Sequence, residues 1–200
     1  MVAATTFTSN PFIKLLYIGH SGTGKTGSLI SLLRAGKKVR LLDMDNGFDS
    51  LVALCRKENP DLLSQLDIIS HRDKFKMDQS RGTTLDGMPK AYVNAIKSLT
   101  TWDDGTKPAE WGPDYVLVVD SLTALSRAAY HWAVGMNPSA KDGRQWYAAA
   151  GESLKTLIEM LTSAEFKTNL IIISHIDLRE SSDGLTKGYV SSLGQALGPH

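Results

Sequence analysis

An apolar segment that runs directly into a glycine-rich turn is the most constraining feature of this sequence. Residues 12–18 read FIKLLYI, and residues 19–26 read GHSGTGKT, which matches the pattern G-x-x-x-x-G-K-T. Such a turn between a strand and a helix predicts a phosphate-binding loop in an α/β protein. The helix predicted after the turn ends near Gly36 and carries four apolar residues at helical spacing, Leu29, Ile30, Leu32 and Leu33.

The residue types in this loop are those that hold a nucleoside triphosphate. Glycines at these positions allow positive φ and close backbone approach, so that successive N–H groups can point at phosphate oxygens. Lys25 places a cation near the β- and γ-phosphates and is a predicted catalytic residue, while the Thr26 hydroxyl is a predicted Mg²⁺ ligand. The predicted nucleotide-binding residues are Gly19, His20, Ser21, Gly22, Thr23, Gly24, Lys25, Thr26 and Gly27.

Apolar, β-rich runs alternate with helical patterns along the rest of the chain, which predicts a mostly parallel sheet flanked by helices in a three-layer α/β/α arrangement. The predicted strands are 12–18, 38–43, 66–70, 115–120 and 169–174. The clearest helix spans about 144–165, where apolar residues recur every three or four positions. The stretches 71–89, 103–114 and 177–188 are predicted loops, the last of them flexible.

Carboxylates at the ends of two predicted strands suggest the rest of the phosphate chemistry. Asp120 ends the apolar run YVLVVD and is the predicted Mg²⁺ residue opposite Thr26. The residue after it is Ser121 and not a glutamate. The carboxylate that orients the attacking water must therefore lie elsewhere in the chain. Asp43 and Asp45 are the candidates, unless they belong to a solvated turn. We favour Asp45 because it lies further out towards the ligand.

His175 follows the fifth predicted strand and is the remaining catalytic candidate. A polar residue at that end of the sheet can hydrogen-bond the γ-phosphate and report its loss to the next loop. The alternative is a histidine with a purely structural role.

Taken together, these motifs resemble the RecA-like recombinase core over roughly residues 12–180. The segment VVDSLTAL resembles that family's Walker B segment, LDMD occupies the place of the motif that ends in the catalytic glutamate, and ISHI resembles the segment that carries its γ-phosphate sensor. The form GHSGTGKT and the short chain resemble, more closely still, the small phage nucleotide-binding proteins of the Sak-four type. Those are RecA-like ATPases proposed to act in single-strand annealing or recombination.

The resemblance implies a RecA-like P-loop NTPase that uses ATP and Mg²⁺. It implies that the fifth strand lies between the P-loop and Walker B strands, with His175 beside the γ-phosphate, and that the Asp120–Ser121 peptide is cis. It also implies a homo-oligomer, in a ring or filament, that binds single-stranded DNA, with a single-strand-binding protein as a candidate partner. The loops at 131–144 and 177–187 would contact DNA phosphates through Lys141, Arg144, Arg179 and Lys187.

Composition sets the remaining expectations. A net charge of +1 supplies no broad positive field, so DNA contacts must be local. A single cysteine, Cys55, on an apolar helical stripe and an N-terminus without signal-peptide features indicate a cytoplasmic protein, in the host cytoplasm if a phage encodes it. No membrane association is expected. We expect a short arm over 1–11 and one ATPase domain over 12–200, pared down or C-terminally incomplete.

Three other functions compete with a DNA-dependent ATPase. A regulatory or assembly NTPase of the same fold without DNA binding fits the near-neutral charge. A small-molecule kinase fits less well, because the sequence shows no arginine-rich lid. A regulatory GTPase lacks support because no N-K-x-D guanine motif is present, which favours ATP.

Overall fold

A computed structural model describes residues 11–80, 82–180 and 184–193 of the chain. Its strands are β1 (Lys14–Gly19), β2 (Lys38–Asp43), β3 (Leu66–Ser70), β4 (Phe75–Asp78), β5 (Gly82–Leu85), β6 (Gly112–Asp120), β7 (Thr168–Glu180) and β8 (Thr186–Val190). Its α-helices are α1 (Ile30–Arg34), α2 (Asp49–Glu58), α3 (Ala91–Thr100), α4 (Leu122–Met136) and α5 (Arg144–Thr162). The predicted arm at 1–11 lies almost wholly outside the described residues, as does the C-terminal end from 194.

The main sheet has the order β1-β7-β6-β2-β3, and all four of these pairings are parallel. The strand that follows α5 therefore lies between the P-loop strand and the Walker B strand, as the resemblance implied. The Asp120–Ser121 peptide is cis, which confirms a second implication. All five predicted strands are present within a few residues of their expected bounds.

Two apolar clusters, one on each face of the sheet, make the three layers. On one face α3, α4 and α5 cover the sheet, with Ala150, Leu154, Leu157 and Leu161 of α5 buried at three- and four-residue steps. On the other face α1 and α2 pack on the sheet, and Cys55 is fully buried there as predicted. The β-branched runs of β6 and β7 are buried on both sides because helices cover both faces. The predicted α/β fold with a mostly parallel sheet is confirmed.

The structure corrects two of the predicted loops. The stretch 71–89 contains the antiparallel hairpin β4–β5, which the polar composition concealed because its strands have only four residues each. The stretch 177–188 is not a loop either, since β7 continues to Glu180 and pairs antiparallel with β8. These hairpins are held by backbone hydrogen bonds between strands that meet only after the chain reverses. Such bonds do not require apolar residues, so no apolar pattern marks the hairpins in the sequence. Between 103 and 114 the chain is irregular, apart from a 3₁₀ turn at Pro108–Glu110, until β6 begins at Gly112.

The helix after the glycine-rich turn is shorter than predicted. Gly27–Leu29 form a 3₁₀ turn and only Ile30–Arg34 are α-helical. The predicted end near Gly36 is correct, so the error concerns the first turn alone. None of the helices in the described ranges has the length and hydropathy that crossing a bilayer requires.

Candidate nucleotide-binding site

The loop after β1 is wrapped around the Lys25 ammonium. Its Nζ donates hydrogen bonds to the carbonyl oxygens of Gly19 and His20 at 2.9 and 2.7 Å, and the residue is only 6% exposed. Gly22 and Gly24 have φ of 76° and 82°, which a side chain would disfavour, so these glycines permit the loop conformation. The loop is thus closed on a buried cation, ready to exchange carbonyl partners for phosphate oxygens.

Thr26 and Asp120 meet where the P-loop approaches the end of β6. The Thr26 hydroxyl donates a short hydrogen bond to Oδ2 of Asp120, although the two residues are 94 positions apart in sequence. The sequence predicted these two oxygens to face each other across a metal ion. The structure brings them together, while their role as metal ligands stays a prediction.

Asp120 is a buried carboxyl group in an acidic neighbourhood. Burial raises the pKa of Asp120 to about 6, the hydrogen bond from Thr26 opposes that rise, and the nearby charges of Asp45 and Asp43 add to it. Lys25 also acts to lower this pKa, but its effect is the smallest. Burial and the two nearby carboxylates disfavour the ionised form of Asp120, so a cation beside it would stabilise that form.

The donor set here fits Mg²⁺. Thr26 and Asp120 offer hard oxygen ligands, which are the atoms that Mg²⁺ prefers. Within the described ranges no group of three or more His, Cys, Asp or Glu side chains is arranged to hold a metal alone. Mg²⁺ held by Thr26 and Asp120 would supply positive charge beside the phosphates of a bound nucleotide.

Asp45 lies across the cavity from the P-loop and is held by a neighbour of the Walker B aspartate. The Ser121 hydroxyl donates to Oδ2 of Asp45 at 2.8 Å, and Nε2 of His175 is 3.8 Å from the same oxygen. The Asp45 side chain keeps a quarter of its surface exposed. A carboxylate oriented in this way and open to the cavity can accept a proton from a water molecule.

Asp43, the alternative to Asp45, is occupied elsewhere. It is fully buried and receives hydrogen bonds from the Ser70 hydroxyl at 2.8 Å, the Arg72 guanidinium at 2.6 Å and the Gly47 backbone at 3.0 Å. Because β2 ends at Asp43, Asp45 lies beyond the strand and its side chain does not follow the alternation of β2. The geometry therefore favours Asp45 as the residue that faces a bound ligand.

His175 stands at the point where β7 leaves the parallel sheet. Its backbone N–H donates to Oγ1 of Thr123 at 3.1 Å, and its carbonyl accepts from the Ser191 backbone at 2.8 Å. The Thr123 hydroxyl in turn donates to the Ser191 carbonyl at 2.8 Å. His175 is therefore tied both to the helix after the Walker B strand and to the far end of the β7–β8 hairpin.

These groups surround one cavity of about 410 Å³. Its wall contains Lys25, Thr26, Asp45, Asp120 and His175, so the predicted catalytic and metal residues converge, although their roles stay predictions. Gly19, His20 and Thr23 do not line it: the first two hold Lys25 through their carbonyls, and Thr23 donates to the His20 carbonyl at 2.8 Å. The other lining residues are Ser21, Gly22, Gly24, Gly27, Gly47 and Ser50.

Sequence reasoning missed three residues that shape the site. Ser121 orients Asp45, and Thr123 connects His175 to the hairpin. Gly47 approaches so closely that an added Cβ would lie 3.2 Å from Oδ1 of Asp45 and 3.5 Å from Oδ2 of Asp120. The sequence signal for Gly47 was the turn-forming triplet Asp-Asn-Gly just beyond β2. That triplet does not show that carboxylate oxygens of Asp45 and Asp120 lie next to the glycine.

The predicted DNA-binding residues lie in two places. Arg179 and Lys187 are directly opposed in the β7–β8 hairpin, so the structure brings this pair together on regular strands. The segment 131–144 is not the loop that was predicted, because α4 continues to Met136 and Arg144 opens α5, leaving Lys141 between the helices. Both arginines have acidic partners, since Arg179 pairs with Asp177 at 2.8 Å and Arg144 pairs with Asp142 at 2.7 Å.

The aromatic residues near the first of these segments pack inward. Tyr130 and Trp132 on α4 are partly buried against the apolar cluster. Trp132 lies 5.4 Å from the Tyr92 ring and Tyr130 lies 4.6 Å from the Tyr147 ring. Both side chains therefore pack against the core.

No curated protein matches this chain, but solved structures do. The chain is similar to the RadB recombinase at 21% identity and a TM-score of 0.46, with 90% of this chain and 68% of that chain covered. It is also similar to EscN of the enteropathogenic E. coli type III secretion system at 18% identity and a TM-score of 0.49, with 90% and 47% covered. A third match is a prototypical type III secretion ATPase of pathogenic bacteria, at 18% identity and a TM-score of 0.46, with 85% and 46% covered.

The chain spans about two thirds of the RadB chain and just under half of each secretion ATPase. A family model described as an AAA domain matches residues 12–198, which is nearly the whole sequence. The chain therefore belongs to the AAA domain family.

Proposed function

We propose that this P-loop protein hydrolyses ATP with Mg²⁺ and uses the reaction to control binding of single-stranded DNA. The convergence of Lys25, Thr26, Asp120, Asp45 and His175 on one cavity is the observation that carries the first half of the proposal. Lys25 would bind the β- and γ-phosphates, and Thr26 with Asp120 would hold the metal.

In the proposed reaction, Asp45 orients a water molecule and accepts its proton. The water oxygen bonds to the γ-phosphorus as the bond from that phosphorus to the ADP oxygen breaks, which releases ADP and phosphate. Ser121 keeps the Asp45 carboxylate in place, because its hydroxyl occupies one carboxylate oxygen. Asp45 is one methylene shorter than a glutamate, so we expect slow turnover in the absence of DNA.

The second half of the proposal follows from the position of His175. This residue borders the cavity, and β7 runs on from it into the hairpin that carries Arg179 and Lys187. A change at the γ-phosphate that moves His175 would act on Thr123 and Ser191, and so on both ends of the hairpin. The hairpin would contact DNA phosphates, with many subunits on one strand supplying the affinity. This matches the activity suggested by the resemblance to the phage annealing proteins.

The second candidate is a regulatory or assembly NTPase that does not bind DNA. The ion pairs of Arg179 with Asp177 and of Arg144 with Asp142 favour it, because they neutralise much of the charge that DNA phosphates would need. ATP turnover measured with and without single-stranded DNA separates the two candidates. DNA stimulation supports the first, and unchanged turnover supports the second.

Variants of the chain assign the roles. Lys25→Ala should abolish triphosphate binding, whereas Asp45→Asn should leave binding intact and lower turnover by at least about a hundredfold. Arg179→Gln should remove DNA stimulation while basal turnover stays unchanged. Lys155→Gln, a neutralised exposed residue on α5, is the matched control and should behave like the native chain. Normal hydrolysis by Asp45→Asn would contradict the assigned base.

A further inference from the structure

A second cavity, of about 340 Å³, adjoins the nucleotide site and shares one wall with it. The shared residue is Asp45, which borders both cavities. The second cavity lies beyond the ends of β2 and β3, where Met44 and the segment 71–73 leave the sheet. The carboxyl edge of a parallel sheet is the usual location of ligand sites in α/β proteins.

One face of α4 forms the far side of this cavity. Ala124 and Ala128 are four residues apart, as are Arg127 and His131, and Ala124 and Arg127 are three apart, so all four share that face. The two alanines leave room, and the two longer side chains reach over it. Opposite them stand Arg72, Asp73 and Phe75, which come directly after β3 and open the β4–β5 hairpin.

The acidic and imidazole groups in this cavity already have partners. Asp73 accepts hydrogen bonds from the backbone of Lys90 and Ala91 at 2.8 and 2.9 Å, and Nδ1 of His131 is 3.2 Å from its other oxygen. His71 bonds the Ser98 hydroxyl through Nε2 at 2.8 Å, and burial lowers the pKa of His71, which keeps it neutral.

Asp45 is likewise held on the nucleotide side, by Ser121. None of these carboxylates and imidazoles therefore needs a ligand to complete its contacts.

The two arginines are different, because they retain unused donors. The Arg72 guanidinium contacts Asp43 through Nη2 and keeps 39% of its side chain exposed. Arg127 is exposed, and its guanidinium makes no hydrogen bond or ion pair with any residue in the described part of the chain. A guanidinium has five N–H donors in a fixed plane, an arrangement suited to phosphate and carboxylate groups.

The rest of the cavity is apolar. The Phe75 ring is half exposed and meets the His131 ring edge-on, with ring centres 5.6 Å apart. Met44 and Ala91 complete this apolar side. The cavity therefore offers one guanidinium group from each side, Arg127 from α4 and Arg72 from the segment after β3, together with an aromatic surface formed by Phe75 and His131. This combination suits a ligand with a ring or apolar body at one end and an anion at the other.

We propose that this second cavity binds a small phosphomonoester with an aromatic or apolar body. Its phosphate would lie between Arg127 and Arg72, and its body would lie against Phe75. A phosphomonoester carries nearly two negative charges at neutral pH, which matches two guanidinium groups better than a carboxylate does. Because Asp45 is the shared wall, the occupant would also contact the residue proposed to orient the attacking water. Only this coupling to turnover depends on the proposed function, whereas the binding itself does not.

Phenyl phosphate is a suitable probe, and binding to the full chain is measured by calorimetry with and without saturating Mg·ADP. We expect binding in both conditions, at a stoichiometry of one when ADP fills the P-loop. Arg127→Gln should weaken it by about tenfold or more, since it removes a hydrogen bond between charged groups. Arg56→Gln, which neutralises an exposed arginine on α2, should leave it unchanged. Arg127 is exposed and unpaired in the described structure, so this variant is expected to melt like the native chain.

Two comparisons sharpen the result. Phe75→Ala should weaken phenyl phosphate but not inorganic phosphate, and benzoate should bind less tightly than phenyl phosphate. Equal affinity of the native chain and Arg127→Gln would overturn the proposal, as would absence of binding with the P-loop filled. Loss of ATP turnover alone would count against the proposed function and would leave this binding result intact.

Discussion

Replacing Asp120 by Asn should stabilise the nucleotide-free, metal-free protein at neutral pH. Burial raises the pKa of this carboxyl to about 6 from an ordinary 3.8, so the folded chain holds its proton more tightly than the unfolded chain. The folded protein gains from this group below pH 4 and loses that gain as pH rises through 6. Two units of pKa correspond to about 3 kcal/mol, which is an upper value for the cost of ionising Asp120 at pH 7.

Asn is nearly isosteric with Asp, carries no charge and can still contact the Thr26 hydroxyl, which can donate or accept. The free energy of unfolding of Asp120→Asn, relative to the native chain, should therefore increase by about 1–3 kcal/mol between pH 4 and pH 7.5. For a chain of this size, that corresponds to a relative rise in Tm of very roughly 2–12 °C. Urea unfolding in EDTA at several pH values measures the difference directly.

The sign of the pH dependence is the critical result. Any packing change made by the amide is independent of pH and cancels when the two pH values are compared. A stability difference that stays constant from pH 4 to pH 7.5, or that falls, would show that Asp120 is not destabilised by burial and like charge. With Mg·ATP present the order should reverse, because only the native carboxylate can benefit from the metal ion.

Three further predictions concern packing. Gly47→Ala should fold but weaken Mg²⁺-dependent nucleotide binding by at least about tenfold, since its Cβ would enter the metal side of the cavity; Gly151→Ala, on an open face of α5, should bind normally, and unimpaired binding by the first variant would contradict the geometry. Leu154→Ala should lower the free energy of unfolding by about 2–5 kcal/mol in urea titrations, because Leu154 is fully buried between α5 and the sheet. Trp102→Phe should lower the free energy of unfolding by about 1–3 kcal/mol in the same assay, because Trp102 is only 2% exposed and the smaller ring leaves a cavity, while its hydrogen bond to Asp67 is also lost; an unchanged free energy of unfolding would contradict close packing around Trp102.

The local pattern was sufficient for much of the fold. The strands β2, β6 and the first half of β7 are apolar runs because helices cover both of their faces, so burial itself produces the sequence pattern that predicts them. The hairpins β4–β5 and β7–β8 show no such pattern. The end of β7 and the short strands β4, β5 and β8 are largely exposed, and their hydrogen bonds join residues that approach one another only after the chain reverses.

Part of the nucleotide site could likewise be predicted from local sequence, and part of it could not. The P-loop is contiguous in sequence, so its glycines, Lys25 and Thr26 could be recognised one after another. Asp120 could be paired with them only because an apolar strand that ends in a carboxylate is a typical partner of a P-loop, since 94 residues separate it from Thr26. Asp45 could be favoured over Asp43 only on its position further along the chain beyond β2, because the sequence does not show which partners hold each carboxylate.

The sequence alone determined that this chain carries a phosphate-binding loop on a parallel sheet, because that loop and those strands are specified by residues close together in the chain. Only the tertiary structure shows which of the two carboxylates lines the cavity. Asp43 accepts hydrogen bonds from Ser70, Arg72 and Gly47, which lie in other parts of the fold. Asp45 accepts a hydrogen bond from Ser121 and stays open to the cavity. Hydrogen-bond partners of a buried charge come from whichever elements pack against it, and no local pattern records them.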